Sequence, residues 1–208
     1  MVYIVLEAKS KDTPEAHFIR AVLDCHFPHS QIDVDYKIVY ADGKDNLKKL
    51  SPILQSNKED GIKNVLIFDA DSPSNGGGYE RRKKELLDAR EQMGLDFDLF
   101  LYPNDRQDGD VEVLMESVAQ RDRHSRFFSC FEKYEECISL DKDRNGDAKY
   151  LTPNRKGKMH TYISSMKLSS KQRRAIGKGD WLFDNTDYWD LESVALAPLV
   201  SFLKKYMQ

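Results

Sequence analysis

Apolar residues recur along this chain in two rhythms. Val2 to Leu6 is apolar without interruption, which predicts a strand buried on both faces. Asn64-Val65-Leu66-Ile67-Phe68 repeats that pattern and ends in Asp69-Ala70-Asp71, and residues 97–102 repeat it again before Pro103. Residues 32–39 instead alternate, with Ile32, Val34, Tyr36 and Ile38 on one side, which predicts a half-exposed strand. Between these runs the spacing turns helical. Thr13-Pro14-Glu15 opens a helix with a capping hydroxyl, a proline at the first helical position and an acid in the first turn. Phe18, Ile19, Val22 and Leu23 give that helix one apolar face. A second helix is expected over 44–55, with Leu47, Leu50, Ile53 and Leu54 inward and Pro52 as a break or kink. A third, long and charged, covers 79–93. Strands alternating with helices at this spacing predict βαβ units and an α/β fold with a mainly parallel sheet flanked by helices.

From Gly109 onward the pattern is helical. Helices are expected over 111–118, 127–140, 156–167 and 191–206, with polar loops at 141–148 and 169–179. Residues 1–120 therefore form an α/β core, and 121–208 a helical C-terminal extension packed on the same domain. Trp181, Phe183, Tyr188 and Trp189 are expected in the core or an interface.

Composition narrows the setting. A chain of 208 residues with 40% hydrophobic and 32% charged positions can bury a core without disulfides or structural metal. Cys25, Cys130 and Cys137 are odd in number and scattered, as expected of reduced thiols in a cytoplasmic protein. Cys130 and Cys137 lie one heptad apart, so both are expected in the core. Met1 runs directly into the apolar strand with no basic segment before it, so no leader peptide is expected. No run approaches the ~20 apolar residues of a membrane span. The net charge of −3 argues against strong sequence-independent binding of nucleic acid. It leaves room for a nucleic-acid enzyme that reserves its carboxylates for a metal.

Acids stand where such a metal would bind. Glu7 ends the first strand, and Asp69 and Asp71 end the strand 65–68. In open parallel sheets, ligands bind beyond the carboxyl ends of strands, where strand order reverses. Residues two apart in extended backbone point the same way, so Asp69 and Asp71 are expected to converge. Carboxylates brought together without basic partners repel one another unless a cation sits among them, and Mg²⁺ takes such hard oxygen ligands. A single acid after a strand is commonly a turn former or a helix cap. Asp-x-Asp after a five-residue apolar strand, paired with Glu7, is what points to metal.

Several segments carry a resemblance: Leu6-Glu7-Ala8-Lys9-Ser10-Lys11-Asp12-Thr13-Pro14-Glu15, Ile67-Phe68-Asp69-Ala70-Asp71-Ser72-Pro73, Phe100-Leu101-Tyr102-Pro103-Asn104, Asp108-Gly109-Asp110-Val111-Glu112, Pro153-Asn154-Arg155-Lys156-Gly157-Lys158 and Tyr188-Trp189-Asp190-Leu191. Together they resemble the Toprim domain of topoisomerases, primases and OLD-type nucleases, and more closely a family of small, stand-alone Toprim-like bacterial proteins. The resemblance implies a Rossmann-like sheet, with Glu7 as metal ligand or general acid/base and Asp69 and Asp71 as metal ligands. It implies that Glu112 binds a second metal, that Lys156 is the catalytic lysine with Lys158 as a fallback, and that Asp12 is the second N-terminal acid. Ala8 stands where the family has a glycine, and the following acid falls one residue later, which removes backbone freedom near the phosphate site.

A pair of Mg²⁺ (or Mn²⁺) ions roughly 4 Å apart could clamp an in-line phosphoryl displacement, with Lys156 neutralising the phosphate. The leading expectation is a metal-dependent nuclease or related phosphodiester enzyme acting on nucleic acid. The alternative is a metal-dependent module that binds nucleic acid or a phosphorylated ligand without cutting it. A third reading is a structural partner of another protein or of a second copy.

Other motifs weigh less. Asp141-Lys142-Asp143-Arg144-Asn145-Gly146 matches half of a calcium loop, but Thr152 stands where a bidentate Glu is required, so a polar loop is expected. Cys25, His26 and His29 lack the further ligands of a zinc site. Asn75-Gly76-Gly77-Gly78 lacks the lysine of a phosphate-binding loop and is expected to be a mobile loop beside the metal. The basic run that follows places Arg81 and Arg82 as candidate phosphate contacts. Lys171, Arg173 and Arg174 form a second basic cluster.

Overall fold

The computed structural model describes residues 1–207. Its four strands, β1 (Val2–Leu6), β2 (Tyr36–Tyr40), β3 (Lys63–Asp69) and β4 (Asp98–Tyr102), form one parallel sheet in the order β2-β1-β3-β4. The chain leaves β1 for β2 on one side and then crosses back to β3 on the other. Strand order therefore reverses between the two central strands. Register sets Leu6 beside Ile67 and Asp69 beside Tyr102.

The two-fold alternation of side chains explains why the central strands need no polar residues. Ile4, Leu6, Val65, Ile67, Phe100 and Tyr102 enter one core, whereas Val5, Leu66, Phe68 and Leu101 enter the other. The second core is covered by α2 (Leu47–Glu59) and α3 (Tyr79–Gln92). The first is larger. It is covered by α1 (Pro14–His26), α4 (Val111–Val118), α5 (Ser125–Ser139), α6 (Arg155–Ser164), α7 (Ser170–Ile176) and α8 (Ala197–Leu203). The result is a doubly wound α/β fold. Phe128, Met159, Tyr162, Trp181, Phe183 and Trp189 share a core with β1, so the helices after residue 120 bury the sheet's own face. Phe183 packs on Trp189 at 4.9 Å and on Phe18 of α1 at 5.2 Å between ring centroids. Trp189 satisfies its indole N–H on the Trp181 carbonyl at 2.9 Å.

Helix α1 starts where expected. The Thr13 hydroxyl accepts from the Ala16 N–H at 3.3 Å, and Pro14 occupies the first helical position. Gly179 then closes on this start from the far end of the chain. With φ +84°, it lies so near that a Cβ there would stand 2.8 Å from the carbonyl carbon of Thr13.

Elsewhere the structure corrects the sequence pattern. The alternating run 32–39 shrinks to β2, and Ile32 and Val34 are exposed. Asp33 adopts φ +64° and donates its N–H to the Tyr36 carbonyl at 2.7 Å, so a turn replaces the strand's first half. Ile53 is exposed, and α2 runs on through Pro52 to Glu59. Residues 169–179 hold α7 rather than a loop, opened by a capping box between Ser169 and Gln172. The helix expected over 191–206 is a short 3₁₀ turn, Val194–Leu196, leading into α8. Cys130 and Cys137 are exposed, as is Cys25, because Phe128 and Phe131 take the inner face of α5. Among the described residues, no helix is long and apolar enough to cross a membrane.

Candidate functional site at the strand-order reversal

Strand order reverses between β1 and β3, and Glu7 follows the last residue of β1 at the carboxyl end of this pair. Its Oε2 accepts the N–H of Asp69 at 3.1 Å, and its Oε1 accepts the N–H of Lys44 at 3.3 Å. One carboxylate thus spans the gap between two strands. Burial raises its pKa above the ordinary value, only partly offset by the Asp69 amide and the Arg82 charge.

Asp69 closes β3. Its Oδ1 accepts the N–H of Val111, the first residue of α4, at 2.9 Å. Helix N-termini carry unpaired N–H groups and partial positive charge, so this carboxylate is well held. Burial still raises its pKa well above the ordinary value, and Glu15, Glu7 and Glu112 add to the effect.

Glu112 follows in the first turn of α4 and is 8% exposed. Its Oε1 meets the Lys156 ammonium at 3.3 Å, in the first turn of α6, whose cap Asn154 accepts from Gly157 N–H at 2.8 Å. The lysine itself stays open to solvent, with its side chain 56% exposed.

Glu15, in the first turn of α1, is the fourth acid. Burial pushes its pKa up to about 8, with further push from Glu7 and Glu112; Lys156 and the Ala8 amide pull the other way. Its Oε1 is buried with no hydrogen-bond partner. The hydroxyl of Tyr102, on β4 beside Asp69, is likewise buried and unpartnered. Burial raises the Tyr102 pKa well above its ordinary value, with Glu15, Asp69 and Glu112 contributing.

Asp71 does not converge with Asp69. Its φ of +59° breaks the extended geometry that would aim the two side chains alike, and its carboxylate pairs with Arg82 instead. Arg82 is 3% exposed and also reaches Glu85 at 3.1 Å, so this guanidinium is turned inward to carboxylates rather than outward to a phosphate. Arg81 is exposed and pairs with Glu85 at 3.0 Å. Lys158 pairs with Glu116 at 2.7 Å, and Arg155 holds the same acid at 2.9 Å. Asp12 lies exposed in the loop before α1, its backbone N–H on the Ser10 hydroxyl at 3.3 Å.

The glycine-rich segment is a close-packed turn. Gly77 and Gly78 are buried, and Gly78 N–H bonds the Ala70 carbonyl at 2.8 Å. A Cβ on Gly77 would run into the side chain of Asp71 and stand 2.8 Å from the Ala70 oxygen. Asp108 Oδ1 accepts the Tyr79 N–H at 2.6 Å, fixing the start of α3.

Glu7, Glu15 and Glu112 thus lie near enough to Asp69 to act on its charge, Lys156 pairs with Glu112, and Asp71, which acts on Glu7, pairs with Arg82. Among the described residues, no three His, Cys, Asp or Glu side chains stand in an arrangement that could hold a metal ion as they are. A cavity of 630 Å³ beside α1, lined by Asp24, Phe183, Trp189 and Glu192 among others, includes none of these acids. No protein-family model, curated protein or solved structure matches the chain.

Proposed function

We propose that this chain is a Toprim-like, Mg²⁺-dependent protein that processes phosphodiesters of nucleic acid in the cytoplasm. The observation that carries the reading is the meeting of Glu7, Glu15, Asp69 and Glu112 at the strand-order reversal, with Lys156 as the cation paired there. Burial holds Glu7, Glu15 and Asp69 above their ordinary pKa values, with neighbouring carboxylates adding to it (Asp71 for Glu7, Glu7 and Glu112 for Glu15, and Glu15, Glu7 and Glu112 for Asp69), and a divalent cation would relieve that cost.

The donors fit Mg²⁺, which takes hard carboxylate oxygens and retains several waters. The unpartnered Glu15 Oε1 supports this fit. Because the acids are not gathered as they stand, loading requires side-chain rotation, for which Glu112 can exchange Lys156 for the ion. Glu7, Asp69, Glu15 and Glu112 would hold the metal. When bound, it would supply Lewis-acid polarisation of a phosphoryl oxygen and an activated water. Lys156, open to solvent at the mouth, would meet the negative charge that builds on the phosphate. Arg81, exposed at the start of α3, is the remaining candidate for a backbone phosphate. Three exposed, unpaired thiols suit a reducing compartment.

A second reading, metal-dependent binding without cleavage, draws support from the Asp71–Arg82 pair, which withdraws one acid of the Asp-x-Asp motif. Titration of Mg²⁺ and Mn²⁺ against single-stranded, nicked and plasmid DNA and against RNA separates the two. Cleavage lost in Asp69→Asn supports the enzyme; metal-dependent binding with every substrate intact supports the module. Neither binding nor cleavage with either ion overturns both.

A further inference from the structure

The cavity of 630 Å³ beside α1 is walled on its other side by residues 180–192 and includes none of the strand-end acids. Its walls are fastened to each other. Gly179 closes on Thr13 at the start of α1, and His26, the last residue of that helix, meets the Leu191 carbonyl through Nε2 at 2.7 Å. The Asp190 N–H donates to the Val118 carbonyl at 2.7 Å, and Gln120 Nε2 donates to the Thr186 carbonyl at 3.1 Å. These bonds tie the same segment to the end of α4. Phe183 and Trp189, 2% and 0% exposed, form an apolar wall that Ala21 and Leu191 extend. A hollow held open in this way has the size of a small-molecule site, roughly 300–1,000 Å³.

Charge narrows what can enter. Five carboxylates line the cavity, those of Asp24, Asp180, Asp184, Asp190 and Glu192, against the single guanidinium of Arg20. Arg20 is already engaged by the Tyr40 hydroxyl at 2.6 Å. Asp180 and Asp190 accept the N–H groups of Leu182 at 3.0 Å and Glu192 at 3.1 Å. Among the described residues, the carboxylates of Asp24, Asp184 and Glu192 have no ion pair and no hydrogen bond, and all three residues are exposed. An anionic ligand would be repelled here. A metal ion is no better served, since among the described residues no three His, Cys, Asp or Glu side chains are grouped to hold one. Acids spread around a hollow with an apolar wall suit several positive charges strung along an aliphatic stem. One more group fits that chemistry. His17 lines the cavity, and its Nε2 is out of water with no partner. With the ring proton on Nδ1, that atom offers a lone pair to an ammonium N–H.

We propose that this cavity binds an aliphatic polyamine. Its ammonium groups meet Asp24, Asp184 and Glu192, and its methylene stem lies along the apolar wall, as the stems of long cationic side chains do on protein surfaces. Each exposed charge pair is weak by itself, so affinity comes from several charges carried on one stem. No strand residue lines the cavity, so a basic peptide would find no sheet edge to hold its backbone. The inference is independent of the metal-dependent reading.

Calorimetric titration of spermidine, butylamine and tetralysine in metal-free buffer of low ionic strength tests it, with thermal melting of each variant as a check on folding. Spermidine should bind saturably, one per chain, and butylamine, with a single charge, at least about tenfold more weakly. The double variant Asp24→Asn/Asp184→Asn should lower spermidine affinity about tenfold, and Arg20→Gln should raise it about threefold. Ala21→Phe fills the hollow without changing a charge and should abolish binding, which separates a ligand in the cavity from cations that merely screen the surface. Should the double variant fail to fold, Glu192→Gln is expected to weaken binding about threefold. No saturable uptake of spermidine overturns the proposal. So does affinity that is unchanged in Ala21→Phe or in whichever carboxylate variant folds, and so does uptake of tetralysine without spermidine, which would assign the cavity to a basic peptide.

Discussion

Glu7 Oε2 accepts the backbone N–H of Asp69 across 3.1 Å, so one side chain stitches together the ends of the two central strands. The same carboxylate accepts the Lys44 N–H at 3.3 Å and thereby ties the start of the segment leading into α2 to the same strand ends. A residue expected to serve chemistry also closes the fold around it.

Glu7→Ala should therefore lower stability as well as abolish the ion binding proposed above. Two N–H groups lose their acceptor, and about 2 kcal/mol is expected from urea unfolding. Glu7→Gln keeps an amide oxygen for one of them and removes a buried charge, so its stability should stay within about 1 kcal/mol of wild type while the response to Mg²⁺ disappears. Glu7→Ala as stable as wild type would contradict the stitching role.

Arg82→Met should destabilise by about 2–4 kcal/mol, since Asp71 loses its cation in a part-buried setting. The arginine is 3% exposed and spans Asp71 and Glu85, a geometry that a lysine ammonium reproduces only in part. Arg82→Lys should fall between the two. If the side chain instead served phosphate, Arg82→Met would weaken nucleic-acid binding and leave the urea midpoint in place.

Gly77→Ala is expected to cost about 1–3 kcal/mol by overpacking. The added methyl meets the side chain of Asp71 and the carbonyl of Ala70, neither of which can step aside without breaking the Gly78–Ala70 hydrogen bond or the Arg82 pair. Denaturant unfolding gives the size of the effect. A change below about 0.5 kcal/mol would mean that the turn is loose rather than packed.

Glu15 sets a pH dependence whose sign follows from its raised pKa. Its ordinary value is 4.5 and in the folded protein it is about 8, so the folded state holds this proton more tightly than the unfolded chain. Its contribution is complete below pH 4.5 and is lost as pH climbs through 8. Asp69 and Glu7, also raised, act in the same direction. With divalent ions chelated, stability should decline from pH 5 to pH 8.5, and Glu15→Gln should flatten the slope by on the order of 3 kcal/mol. Melting curves across that range decide it; an equally steep profile in Glu15→Gln would remove Glu15 as the cause.

Parts of this arrangement were readable from residues alone. Val2–Leu6 and 65–68 carry no polar alternation, and such strands belong in the middle of a parallel sheet. Thr13-Pro14 announces α1. Alternation misled at 32–39 because a two-residue period records side-chain type and says nothing of the turn that Asp33 makes. Heptad spacing put Cys130 and Cys137 on one face without saying which, and the phenylalanines of α5 took the inner one. Asp-x-Asp promised convergence only if the backbone stayed extended, and aspartate is among the few residues that tolerate the left-handed φ seen at Asp71. The inward turn of Arg82 did leave a trace, since Tyr79, Arg82 and Leu86 recur at helical spacing and are buried together. Glu15 left none, because an acid in a first turn is already accounted for by the helix dipole.

The contact between Gly179 and Thr13 makes the two ends of the chain answerable to each other. A fragment cut near residue 120 would retain every strand yet forfeit the contact at the start of α1 and the aromatic residues after 120 that share a core with β1. Dissection of this protein at that point should thus yield something misassembled, whose silence in a binding or cleavage assay would carry no message about the intact molecule.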